Sequence, residues 1–277
     1  MTLTPELQQA LTRYLLTIGD DELVLGSRDS EWTGVAPVVE EDVAFSSLAQ
    51  DEIGHARLCY ILAAELSGGD ADAFAFLRPR DQFYHARVLE DRTTPIYDPE
   101  GSHQGHTDWA KAVARRFLYD LFDDLRVASL TVSAYEPLAG AMHKVQREER
   151  YHLWHGEAWW QTLAGSSPES HARLERSLRE LWPGLLGLFE EAPGEDLLQD
   201  AGILSTRTSQ LLAPWLERVQ SCCQPYNLPF PAHKAGEQWQ LDIEPLQGGR
   251  QGQHGSGWDD LYAEMTMVRS MEPEGVW

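Results

Sequence analysis

Two Glu-x-x-His motifs of this chain, Glu52-Ile53-Gly54-His55 and Glu149-Arg150-Tyr151-His152, fall within helical patterns. Each copy lies on an apolar helical stripe. The first shares its face with Leu48, Ala49, Ala56, Cys59 and Leu62, the second with Met142, Val145, Leu153 and Trp159. Residues three apart project from one face of a helix, so each motif sets a carboxylate beside an imidazole where a core is expected. A carboxylate in such a place is costly unless it is paired, protonated or bound to a metal. Both motifs must therefore belong to helices that bury their polar groups against something specific.

The helix before each motif offers a partner. Glu22, in "TIGDDELVLG", precedes Glu52 by 30 residues, with Leu15, Ile18 and Leu25 around it. Asp120, in "RRFLYDLFDDLRV", precedes Glu149 by 29, with Val113, Phe117 and Val127 along its face. Asp123 and Asp124 are neighbouring alternatives to Asp120, and Asp21 competes with Glu22. Two helix pairs thus each supply one lone carboxylate and one Glu-x-x-His. Four carboxylates and two imidazoles facing inward from four helices are the ligand set of a di-iron or di-manganese bundle. The candidate metal ligands are Glu22, Glu52, His55, Asp120, Glu149 and His152. Oxygen and imidazole donors suit iron or manganese, and the scarcity of thiolates argues against iron–sulfur.

The rest of the pattern is helical as well. Thr4-Pro5-Glu6 opens a helix running to about Gly26, interrupted by "SRDSEWTGVAP". A second begins near Glu40, Glu41 and Asp42, whose charge suits a helix start, and ends at Gly68-Gly69. Residues 70 to 106 read as short helices and a surface loop, with His103 and His106 solvated. Helices follow from Thr107 to about Tyr135 and from Pro137 to Gly165. Ser167-Pro168-Glu169 caps a fifth, kinked or broken near Pro183, and Ser205 caps a sixth. The Gly-rich stretch 247 to 257 reads as mobile, and "WDDLYAEMTMVRSM" closes the chain as a short helix. Trp154, Trp159 and Trp160 read as core or interface packing, and Cys222-Cys223 as small packing residues.

With 277 residues the chain can bury a sizeable core. A net charge of −22 argues against nucleic acid and against an anionic membrane surface. No apolar run approaches membrane-spanning length, and "MTLTPELQQA" lacks the pattern of a signal peptide. Three cysteines, two of them adjacent, give no disulfide framework, which points to a reducing cytoplasm.

The segments "GDDELVLGSRDSEWTG", "EEDVAFSSLAQDEIGHAR", "REERYHLWHGEAWWQTL" and "GWDDLYAEMTMVRSM" resemble the PaaC family, the C component of phenylacetyl-CoA 1,2-epoxidase in aerobic phenylacetate breakdown. The resemblance covers nearly the whole chain and is specific in Leu-Gly-x-Arg-x-Ser-Glu-Trp at 25 to 32. It implies an all-α, ferritin-like four-helix bundle with additional C-terminal helices. The expected layout is one domain over 1–277, with a core bundle at about 4–165 and accessory helices at about 167–277. It further implies pairing with a related catalytic subunit (the A component), a small subunit (the B component), and a flavin/iron–sulfur reductase drawing on NADPH. The C component of this family is usually structural, with degraded ligands. Glu52-Ile53-Gly54-His55 departs from that pattern and matches the catalytic component's, so a retained dinuclear iron site is expected, with manganese as the alternative. Which residues are catalytic is left open, as are a structural role with vestigial metal and an independent ferritin-like oxidase or iron-handling role. Alone, the chain is expected to form a homodimer.

From the spacing, elemental analysis is expected to find iron or manganese in the purified chain. Glu52→Gln and His152→Ala are expected to lower the metal content more than Asp123→Ala. Equal loss from all three substitutions would remove the spacing argument.

Overall fold

Thr4 begins the first helix, its Oγ1 accepting the Leu7 N–H while Pro5 takes the first helical position. The computed structural model describes residues 2–94, 108–272 and 275. In it, α1 spans Pro5–Ser30 and continues past Gly26. The extension has a tertiary cause. Arg28 donates to the backbone oxygens of Glu90 and Gly257, and Asp29 accepts from Arg116, so the polar "SRDS" gains buried partners by staying helical.

Helix α2 spans Val39–Ser67 and ends at Gly68, whose φ of 71° is left-handed. The Asp42 carboxylate accepts the Gly34 and Ala36 N–H groups, which closes the turn between α1 and α2. A short α3, Ala71–Phe76, is capped by Asp70. Helices α4, Trp109–Leu130, and α5, Glu136–Gly165, form the second pair. The expected loop with His103 and His106 falls outside the described residues.

The two pairs, α1 with α2 and α4 with α5, meet as a four-helix bundle, with α2 lying against α5. Helix α6, Pro168–Leu186, opens with a Ser167–Ser170 capping box and packs on α4. Pro183 lies within its last turns, and the helix runs only three residues beyond it. Then come α7, Glu195–Asp200, against α1, and α8, Leu212–Cys223, against α4. A two-stranded antiparallel hairpin follows, β1 Ala232–Ala235 paired with β2 Gln238–Leu241, and α9, Ser256–Met271, ends against α3. Among the described residues the fold is all-α apart from that hairpin.

Three local readings change. Helix α7 and the hairpin lack a periodic signal long enough to read, being six and four residues per element. Ser205 does not cap a helix; its Oγ donates to the Ser129 carbonyl, and a 3₁₀ turn at Thr208–Leu211 leads into α8. The Gly-rich stretch, expected to be mobile, is packed down. Arg250 within it is fully buried on Asp21. Gly252 has a φ of 76°, and a Cβ there would collide with the Asp81 carbonyl oxygen.

Of the tryptophans, Trp160 is buried and Trp154 is 64% exposed. Among the described residues no helix is long and apolar enough to cross a membrane.

Gly26 marks a close approach of α1 to α2. A Cβ on it would sit 2.9 Å from the Ala49 carbonyl oxygen and 3.0 Å from the Glu52 Cβ. Alanine normally favours a helix interior over glycine by about 0.5–1 kcal/mol. Here overpacking reverses the sign, and Gly26→Ala is expected to destabilise by about 1–3 kcal/mol in urea unfolding.

Candidate metal centre

Both Glu-x-x-His motifs bury their side chains between the helix pairs. Glu52, His55, Glu149 and His152 are each at most 2% exposed, as is Glu22, and Asp120 is fully buried. An acidic residue precedes each glutamate, and the two motifs use it reciprocally. Glu148 of the second holds His55 Nε2 at 2.9 Å, and Asp51 of the first faces His152 Nε2 at 3.4 Å. A carboxylate on the outward nitrogen fixes a histidine ring so that the other nitrogen points inward, as in protein metal sites. The inward atoms are His55 Nδ1, 3.3 Å from Glu52 Oε2 and 3.4 Å from Glu149 Oε1, and His152 Nδ1, 3.1 Å from Glu149 Oε1.

Two groups of converging ligand atoms result, Glu22 with Glu52 and His55, and Glu52 with Glu149 and His152. Glu52 belongs to both, and in each the atoms lie within 4.8 Å of one another. In the first group Glu22 Oε2, Glu52 Oε2 and His55 Nδ1 are buried without a hydrogen-bond partner among the described residues. Three orphaned donors of lone pairs aimed at one point fit a cation, since a buried polar atom is otherwise satisfied. Both Glu149 oxygens are orphaned as well.

The second group differs, because a guanidinium reaches into it. Arg116, on α4, donates from Nη2 to Glu52 Oε1 and lies 2.8 Å from His152 Nδ1. Its Nη1 donates to Asp29 Oδ2 at 2.9 Å, and its Nε faces Asp120 at 2.9 Å. Asp120 is thereby engaged by Arg116 and belongs to neither converging group among the described residues. A second arginine, Arg126, donates to Glu22 Oε1 at 2.5 Å, to Asp21 at 2.9 Å and to Asp123. Asp123 is thus in the cluster but spent on Arg126, while Asp124 turns outward to Arg218. Asp21, the rival to Glu22, is taken by Arg250 and Arg126.

Arg116, Arg126 and Asp29 escaped the sequence reading, yet the signal was present. Arg116 lies four residues before Asp120, and Asp29 lies seven after Glu22, so both share the faces of the candidate ligands. The repeated acidic residue before each Glu-x-x-His, Asp51 and Glu148, was equally visible.

Proton affinities follow from this crowding. Burial, then the charges of Asp123 and Glu52, raise Glu22 well above the ordinary carboxylate range. Burial also acts to raise Glu52, but the Arg116 charge and several hydrogen bonds overcome it and hold it well below. Asp123 is pushed up to about 7 by burial, against Arg126. For His152, burial and Arg116 work against the proton, while Asp51, Glu149 and Glu52 carry it up to about 12. The 2.8 Å contact decides otherwise. A guanidinium only donates, so His152 Nδ1 must accept, and the ring is neutral at that atom.

His55 has no such contact, and Glu52, Glu149 and Glu148 raise it to about 9 despite burial. A raised histidine stabilises the fold fully below its unfolded value of about 6.5, and that contribution is lost as pH rises through about 9. In the metal-free chain, urea unfolding is expected to lose about 3 kcal/mol from this source across that window. His55→Asn is expected to remove that loss and flatten the profile. An unchanged profile would show that His55 is not the titrating group.

The model of the phenylacetic acid catabolic protein family matches residues 2–277. The chain is also 30% identical over 269 residues to the C subunit of the 1,2-phenylacetyl-CoA epoxidase of Escherichia coli (strain K12), covering 96% of this chain and 99% of that protein. With residues 2–277 inside the family match, the chain belongs to the phenylacetic acid catabolic protein family.

Proposed function

We propose that this chain is the C component of a multicomponent phenylacetyl-CoA 1,2-epoxidase, pairing in the cytoplasm with the related catalytic A component. The small B component and a flavin/iron–sulfur reductase complete the assembly. The observation that carries the reading is the end-to-end similarity to the Escherichia coli C subunit. The surface agrees with it. Val39 and Val43 on α2, and Tyr151 and Trp154 on α5, are exposed large apolar side chains. The contacts of Glu41 with His155 and Glu148 with His55 tie these two helices together. Exposed large apolar side chains on two packed helices suit a permanent partner rather than water.

The net charge supports placing the substrate on the partner. Coenzyme A is a polyanion, and against a net charge of −22 its binding needs a local basic pocket, on this chain or on a partner subunit. The ligand set supports a metal within this reading. Glu22, Glu52 and His55 would hold one iron or manganese ion, and Glu52, Glu149 and His152 mark a second position that Arg116 contests. When bound, iron supplies one-electron redox chemistry and dioxygen affinity. The chain's own contribution is to fix both imidazoles through Glu148 and Asp51 and to exclude water from the six buried groups. Arg116 favours a second reading, in which the centre is structural and oxygen chemistry belongs to the catalytic component.

NADPH-dependent consumption of phenylacetyl-CoA is expected only when this chain, the catalytic component and the reductase are mixed. Trp154→Glu is expected to weaken co-purification with the catalytic component at least tenfold while leaving the helical content unchanged. Full turnover by this chain with the reductase alone would make it the catalytic component and overturn the assignment.

A further inference from the structure

We propose that Arg116 is a built-in cation at the second metal position, so that the centre accepts at most one metal ion per chain. The inference rests on reading the Glu22, Glu52 and His55 group as a metal site. In the second group, two of the three ligand residues already give a lone pair to one Arg116 nitrogen. Glu52 Oε1 accepts from Nη2, and His152 Nδ1 lies 2.8 Å from the same atom. A divalent ion would have to sit about 2 Å from those lone pairs, in the space the guanidinium fills, with like charges in contact.

The arginine has little room to withdraw. It is buried, its Nη1 donates to Asp29 Oδ2 at 2.9 Å and its Nε donates to Asp120 Oδ2 at 3.2 Å. Its charge is permanent at any pH a protein survives. In the first group the arrangement is the opposite. Arg126 and Arg116 engage Glu22 Oε1 and Glu52 Oε1, leaving Glu22 Oε2, Glu52 Oε2 and His55 Nδ1 without partners among the described residues. The two positions are therefore chemically unequal, one open to a cation and one already holding a cation.

The test is manganese loading of the full chain, followed by removal of free ion, elemental analysis and electron paramagnetic resonance. Wild type is expected to hold one manganese with the hyperfine-split signal of an isolated ion. Arg116→Gln is expected to gain one further ion per chain and the broadened signal of a coupled pair. Loss of Arg116 strands Asp29, so Arg116→Gln combined with Asp29→Asn serves where the single variant does not fold, with the same expected gain. A wild type without metal, with a gain of one ion in the variant, would support the role of Arg116 while removing the metal assignment of the first group. Two ions in wild type, or no gain in either folded variant, would overturn the proposal. Neither outcome depends on assembly with the catalytic component, so failure here is distinct from failure of the epoxidase assignment.

Discussion

Arg116 and Arg126 leave α4 toward α1 and carry two permanent charges into the middle of the bundle, where carboxylates from the other helices meet them. The centre contains the carboxylates of Glu22, Glu52, Asp120 and Glu149, with Asp21, Asp29 and Asp123 behind them. Arg115, Arg116, Arg126 and Arg250 are the buried guanidiniums set against these seven. Burying so many like charges without partners would unfold the chain, since each isolated ion costs several kcal/mol. The pairings are not one to one. Each of Arg116 and Arg126 is anchored by aspartates and reaches a glutamate with a remaining donor. Among the described residues Glu22 and Glu52 each keep one oxygen without a hydrogen-bond partner, as do Asp29, Asp120 and Asp123.

Much of the fold follows from satisfying this network. Helix α1 runs to Ser30 because Arg28 and Asp29 find buried partners there. The glycine-rich stretch before α9 is packed because Arg250 must reach Asp21, and glycine lets the backbone pass against Asp81 and His85. Buried ion pairs contribute little net stability compared with apolar packing, but a mismatched register would strand a charge. In this bundle they specify which face of α1 meets α4. The crossed contacts of Glu148 with His55 and Asp51 with His152 do the same for α2 and α5.

The helices and the converging glutamates and histidines were legible because periodicity reports which face a residue occupies. Glu22, Glu52 and His55 could be placed together from spacing alone. Periodicity does not report reach. Arg116 lies on the ligand face, but nothing in the sequence says that its guanidinium extends to Glu52 on another helix rather than to solvent. Asp120 was selected by matching separations, and its engagement by an arginine one turn earlier is a tertiary fact. The hairpin and α7 were invisible for a different reason, since elements of four to six residues are shorter than a readable period. The glycine-rich stretch misled because glycine signals freedom in the unfolded chain and close approach in the folded one.

The inequality of the two positions bears on how labour is divided in an oxygenase assembly. The sequence duplication suggests two equivalent half-sites, each with a lone carboxylate and a Glu-x-x-His. The side chains break that equivalence through one residue, because Arg116 takes Asp120 and a His152 lone pair of the second half, with one oxygen of Glu52 from the first. Insertion of an oxygen atom consumes two electrons from the donor side as the other oxygen leaves as water. A pair of redox ions can each supply one, whereas a single ion beside a guanidinium cannot match that count without changing oxidation state twice. The side-chain geometry therefore suits a centre that holds helices in register more than one that carries two-electron chemistry. A guanidinium serves the structural half of that task without loss, since it supplies charge independent of metal supply, pH and redox state.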